Sequence, residues 1–355
     1  MKRIIQIVEQ IEHSKSLILR GAESDLRMAL LLLDNAVEIM MFRTIKSAMR
    51  HADMYERMLK VSPVEFRDEQ SRRFYSSLKE KVISSGEKKR INSYFHEKVN
   101  FLSGEKIREL SAKEKIIPEE VAAVLNAIHL YRNEIYHRDY VRKETLKYST
   151  LILYEIICDL FVALSTNSGG LSMSSGEADR IKEFRKRLGL KKNNFYFLNE
   201  REREYSQVSV FLKNGIEIGI KDLAVGLKEH LLERISNSVE QLEYLSRGGA
   251  EECSPDEALK RVQFFQDVVG KKPIKDFKKQ LMEYKPLYRA SFLSSLEKRA
   301  QTIEKKKDKL KLFAFFAQLE KEFEPLEELI GEATGALDAA IEEQVERMKE
   351  SRASV

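Results

Sequence analysis

The chain has 355 residues, 34% of them charged and 43% hydrophobic, with six prolines and no tryptophan. That composition excludes collagen-like and low-complexity classes and favours long helices around at least one sizeable core. The net charge of +5, from 62 basic and 57 acidic residues, permits a nucleic-acid partner without demanding one.

In chain order, apolar spacing predicts a first helix over Arg3 to Leu19 and a longer one from Glu23 to Leu59. The second carries Leu30-Leu31-Leu32-Leu33-Asp34-Asn35-Ala36-Val37-Glu38. Ser62-Pro63 marks a break, and the Ser-Gly-Glu tripeptides at 85–87 and 103–105 mark turns. Pro118, with Glu119 and Glu120 behind it, opens another helix. Residues 144–164 are apolar on most sides, as a central buried helix would be. The Ser/Gly-rich stretch 166–177 reads as a linker, which divides the chain into a helical bundle (1–165) and a second region (178–355). In that second region Val208, Val210 and Leu212 alternate before Asn214-Gly215, and Ile216, Ile218 and Ile220 after it. This predicts a β-hairpin, with Phe195-Tyr196-Phe197 as a candidate third strand. Helices then resume. Phe316, Leu319, Phe323, Leu326 and Ile330 form a short stripe, which Pro325 is expected to interrupt. The expected fold class is mainly α: an antiparallel helical bundle, a small β-hairpin and a second helical region.

Cys158 and Cys253 are the two cysteines, with no spacing that suggests a disulfide framework or zinc site. The six histidines show no His-x-x-His or His-Glu-x-x-His pattern, so neither metal nor cofactor is expected. No Gly-x-x-x-x-Gly-Lys-Ser/Thr occurs, which argues against a P-loop NTPase. The start, Met1-Lys2-Arg3-Ile4-Ile5-Gln6, turns polar too early for a secretory leader. No apolar run approaches the roughly 20 residues that span a bilayer. The expectation is a cytoplasmic protein without a membrane partner.

The segment Tyr131-Arg132-Asn133-Glu134-Ile135-Tyr136-His137 carries the chemistry. Arg132 falls inside the apolar stripe of Val121, Val124, Leu125, Ile128, Tyr131 and Ile135, where a charge is costly unless it is paired or opens into a cleft. His137 lies near the expected helix end, where the macrodipole favours imidazolium, suiting a group that alternates between base and acid. Asn133 is placed to orient the ring or a phosphate oxygen. Tyr136 and Tyr140 offer stacking surfaces for bases, and Arg138 adds charge. A similar spacing, Arg90 to His96, lies in a run of solvated lysines. Five residues turn a helix through about 500°, so positions 132 and 137 point about 140° apart. Either the helix ends before His137 or two chains share the site.

Arg132-Asn133-x-x-x-His137, on a late helix of a four-to-five-helix domain, resembles the HEPN superfamily of nucleotide-binding helical proteins. The resemblance covers about residues 1–165, and Leu33-Asp34-Asn35-Ala36-Val37-Glu38 is similar to that family's early helix with a site-facing acidic residue. It implies a homodimer whose two motifs line one cleft, and an endoribonuclease needing no metal. His137 would exchange protons with the 2′-hydroxyl or the leaving 5′-oxygen, Arg132 would stabilise the phosphorane, and Asn133 would orient. It further implies a role as a toxin or antiviral defence effector, restrained by an antitoxin or a regulatory protein, or by residues 178–355 themselves.

Other readings of the same residues stay open. Arg132 and His137 also fit a structural ion pair and a surface histidine. Asp34 and Glu38 fit either solvated bundle positions or partners behind Arg132. Glu155 and Asp159 fit neutralisation of a buried arginine, Arg132 included. Arg185 and Arg187, in a basic run leading to Phe195-Tyr196-Phe197, fit an RNA track or a solvated helix. The alternatives to an enzyme are an RNA- or nucleotide-binding module and a helical protein-interaction scaffold.

Overall fold

The computed structural model describes residues 2–60, 68–70, 72, 73, 76, 77, 80, 103–138, 142–167, 178–189, 198–248, 252–268 and 276–353. Every regular element among them is helical. The backbone gathers into two compact units, Met1–Ile218 and Gly219–Val355.

The first unit begins with α1 (Lys2–Arg20) and α2 (Glu23–Lys60). Gly21, at φ +72°, closes α1 by donating its N–H to the Leu17 carbonyl and lets α2 fold back along it. A short helix α3 (Ser103–Arg108) runs into a π-turn at Glu109–Lys113. Then come α4 (Glu119–Arg138) and α5 (Lys143–Asn167). The core lies where Leu30, Leu33 and Val37 of α2 meet Ile128 of α4 and Ile152, Ile157 and Phe161 of α5, all buried. Among the described residues α5 is the one helix long and apolar enough to cross a membrane by length and composition, contrary to the expectation of no such run. Most of its apolar face is buried against α2, α1 and a later helix, as a bundle's central helix should be.

The last two helices of this unit are α6 (Ala178–Arg187) and α7 (Leu198–Lys213). Both belong with the first unit, although 178–213 falls after the linker that composition suggests. Residues 168–177 and 190–197, including Phe195-Tyr196-Phe197, lie outside the described residues. Two buried hydrogen bonds tie α7 to α5: the Tyr154 hydroxyl donates to the Leu212 carbonyl at 2.6 Å, and the Ser209 hydroxyl to the Cys158 carbonyl at 2.7 Å.

The expected hairpin is absent: there is no strand among the described residues. Tyr205, Val208, Ser209 and Leu212 step by three and four and are buried, whereas Val210, the residue that made the pattern alternate, is 70% exposed. Asn214-Gly215 ends the helix, with Gly215 at φ +87° and the Ile216 N–H bonded to the Lys213 carbonyl. Left-handed glycine serves a hairpin turn and a helix stop equally well, and here it stops a helix.

The second unit comprises α8 (Ile220–Gly248), α9 (Pro255–Val268), α10 (Phe277–Glu283), α11 (Ala290–Ala300), a 3₁₀ turn at Ile303–Lys305 and α12 (Lys309–Ala353). Side-chain caps open three of these helices. Ser254 accepts from the Glu257 N–H, Asp276 from Lys279 and Asp308 from Lys311. Phe316, Leu319, Phe323, Leu326 and Ile330 are fully buried as the stripe predicts. Pro325 sits inside α12 without ending it, contrary to the expected interruption.

Candidate functional site

The candidate site lies in the first unit, between α2 and α4. On α2, Asp34 follows Leu30 by one turn and precedes Met41 by seven residues, so helical spacing turns it toward the buried face; its side chain is 9% exposed. Glu38 is one turn further on and half-buried. On α4, Leu125, His129, Arg132 and Tyr136 recur at steps of four, three and four and share one face. His129 and Arg132 are 23% and 28% exposed, and Tyr136 is 64% exposed.

Asp34 bridges these two side chains. Its Oδ1 lies 3.4 Å from His129 Nδ1, and its Oδ2 lies 3.4 Å from Arg132 Nε. The second contact is an ion contact without hydrogen-bond geometry, and both of those buried atoms lack a hydrogen-bond partner among the described residues. Arg132 Nη1 donates to Asn133 Oδ1 at 3.0 Å, and its guanidinium carbon lies 5.3 Å from the centre of the Tyr136 ring. A carboxylate thus holds a cation and an imidazole side by side near the surface. Such a set can bind an anion through the guanidinium and exchange a proton through the imidazole.

Asp34, Arg132, Asn133 and Tyr136 of the sequence-derived set therefore come together, with Glu38 at the edge. His137 is described by its backbone alone: α4 continues through it to Arg138, which removes the alternative of a helix ending earlier. Positions 132 and 137 thus stay about 140° apart within one chain. Tyr140, Arg90 and His96 lie outside the described residues, and Arg138, like His137, is described by backbone only.

Three expectations are redirected. Arg185 makes a two-pronged pair with Glu204, both bonds at 2.9 Å, joining α6 to α7. Arg187 pairs with Glu12 of α1 at 2.6 Å and lies over Phe184. These cations tie helices together, which a run of basic residues does not reveal. Glu155 accepts the Ile218 N–H at 3.3 Å, and Asp159 pairs with Lys213. They secure the end of α7, where Arg132 was one expected partner.

His129 is one of six histidines without motif spacing, so the sequence alone does not mark it out. Its signal was its position, three residues before Arg132 on one face; the partner that gives it meaning, Asp34, lies 95 residues away in sequence.

Comparison with known proteins gives no counterpart: no family model, no curated protein and no solved structure matches this chain.

Proposed function

We propose that this protein is an endoribonuclease of the HEPN type, cleaving RNA by transesterification at a site shared between two copies of the chain. The observation that carries the reading is Arg132: a guanidinium set in an apolar stripe, 3.4 Å from Asp34 without a hydrogen bond to it and beside an exposed aromatic ring. Such a cation keeps N–H groups for a phosphate. The continuity of α4 through Arg138 adds a constraint, because Arg132 and His137 can serve one phosphate only if they come from different copies, as a two-fold pair supplies.

In this scheme His137 of one copy takes the proton of the 2′-hydroxyl, and the resulting oxyanion attacks the adjacent phosphorus. Arg132 of the other copy stabilises the pentavalent phosphorane through charge-assisted hydrogen bonds, held in line by Asn133. The P–O5′ bond breaks and the leaving 5′-oxygen takes the proton held by His137, giving a 2′,3′-cyclic phosphate and a 5′-hydroxyl. Tyr136 offers a stacking face for a base. No step needs a metal. The biological reading, a toxin or antiviral effector restrained by a partner protein or by the second unit, follows from the same resemblance.

The test is cleavage of a labelled structured RNA in EDTA, with end-group analysis, by wild type and by His137→Ala. Cyclic phosphate ends from the wild type alone support the reading; inert wild type overturns it. RNA binding by that inert protein, lost in Arg132→Ala, would support the second reading. That reading is a non-catalytic RNA- or nucleotide-binding module, favoured by the stacking of Arg132 on Tyr136.

A further inference from the structure

Asp34, Glu38 and His129 each present an oxygen or nitrogen capable of ligating a metal, and these atoms all lie within 4.8 Å of one another. We infer that they form a binding site for one divalent transition-metal ion, of the zinc or manganese class, beside Arg132. Three features point that way. The donors are two carboxylates one turn apart on α2 and one imidazole from the facing α4, the kind of arrangement from which metal sites are built inside helical bundles. Two oxygens and one nitrogen suit borderline ions and leave a coordination position for water.

The second feature lies in the bonding of Asp34 itself. Asp34 Oδ2 is a buried acceptor, on a side chain only 9% exposed, that receives no hydrogen bond from the described residues. Its ion contact with Arg132 Nε, at 3.4 Å and without hydrogen-bond geometry, satisfies it only in part, and a bound ion would complete what is missing. Third, Glu38 lies one turn from Asp34, so two carboxylates stand close together beside the Arg132 guanidinium. A dication relieves that repulsion. Tetrahedral ligand atoms around zinc stand about 3.4 Å apart, so Glu38 and His129, both half-exposed, need only a modest rotation inward. Arg132 gives up an ion contact and no hydrogen bond when Asp34 turns to the metal.

Spacing in the sequence hides such a site, because its histidine and carboxylates come from helices 95 residues apart. The inference does not depend on the ribonuclease reading, since it is tested without RNA, and RNA cleavage is assayed in EDTA, which strips the ion.

The experiment is titration of metal-free protein with Co²⁺, followed by visible d–d absorption, and with Zn²⁺ by calorimetry. One ion per chain is expected. Glu38→Gln and His129→Ala should each weaken binding by at least about tenfold, whereas His13→Ala, on exposed α1 surface, and His137→Ala should not. Circular dichroism of each variant confirms that the helices persist. No binding by the wild type, or unchanged affinity in both ligand variants, overturns the inference.

Discussion

In the second unit Arg234 is gripped by two carboxylates. Its Nε and Nη2 donate to Glu327 at 2.9 and 2.5 Å, Nη1 donates to Glu320, and the guanidinium lies over Phe323. Glu320 is 1% exposed. In the first unit Arg132 has, among the described residues, one hydrogen bond, to Asn133, and stands 3.4 Å from the nearer oxygen of Asp34 with Nε unbonded. All three nitrogens of Arg234 are engaged within the fold, so that arginine is structural. Arg132 is positioned by its surroundings but incompletely satisfied by them, which leaves N–H groups for something from outside. Both arginines stand against a buried carboxylate; the difference lies in how many donors the fold itself consumes.

The largest effect should come from Arg234→Ala. Removing it strips the buried Glu320 of its guanidinium partner, a loss of about 3–5 kcal/mol, read as a fall in the denaturant midpoint. Arg132→Ala should cost only about 1 kcal/mol, because Asp34 retains His129 and no hydrogen bond to it is lost. The same substitution should lower RNA cleavage at least about 100-fold. An equal stability loss in the two variants would erase the contrast and make Arg132 a structural cation. Asn133→Ala should sharpen it: loss of the hydrogen bond from Arg132, worth about 0.5–1.5 kcal/mol, should lower the unfolding midpoint no more than Arg132→Ala does while reducing the cleavage rate several-fold.

The smallest effect concerns Arg299 and Glu322, a second satisfied pair. The hydrogen bond from Arg299 holds the Glu322 carboxyl below its usual range. A depressed carboxyl stabilises the fold above its unfolded pKa and loses that contribution as pH falls through the folded value. Glu322→Gln should therefore flatten the stability profile on the acid side, measured as midpoint against pH. An unchanged profile would place the acid sensitivity elsewhere.

The helical class and the long elements of the first unit were legible because periodicity acts locally. The Glu23–Leu59 expectation meets a helix at Glu23–Lys60. The hairpin misled because Val208, Val210 and Leu212 satisfy a two-residue period while Tyr205, Val208, Ser209 and Leu212 satisfy a helical one, and Asn214-Gly215 terminates either. Which period wins depends on α5, whose buried face supplies partners for Tyr205 and Leu212. Arg132 announced itself as a charge in an apolar stripe. His129 did not, because its significance lies in Asp34 on another helix. Arg185 and Arg187 looked like a free basic track, since nothing near them in sequence shows that Glu204 and Glu12 hold them.

The most direct measurement of the shared-site claim is complementation. Arg132→Ala and His137→Ala would be purified separately, then mixed, allowed to exchange subunits and assayed on labelled RNA in EDTA. A mixed pair regains one intact site, with Arg132 from one copy and His137 from the other. Statistical exchange between two-fold dimers then predicts recovery to about one quarter of the wild-type rate, from two variants that are each inert. Mixtures that stay inert although subunits exchange, or a His137→Ala variant as active as wild type, would contradict it.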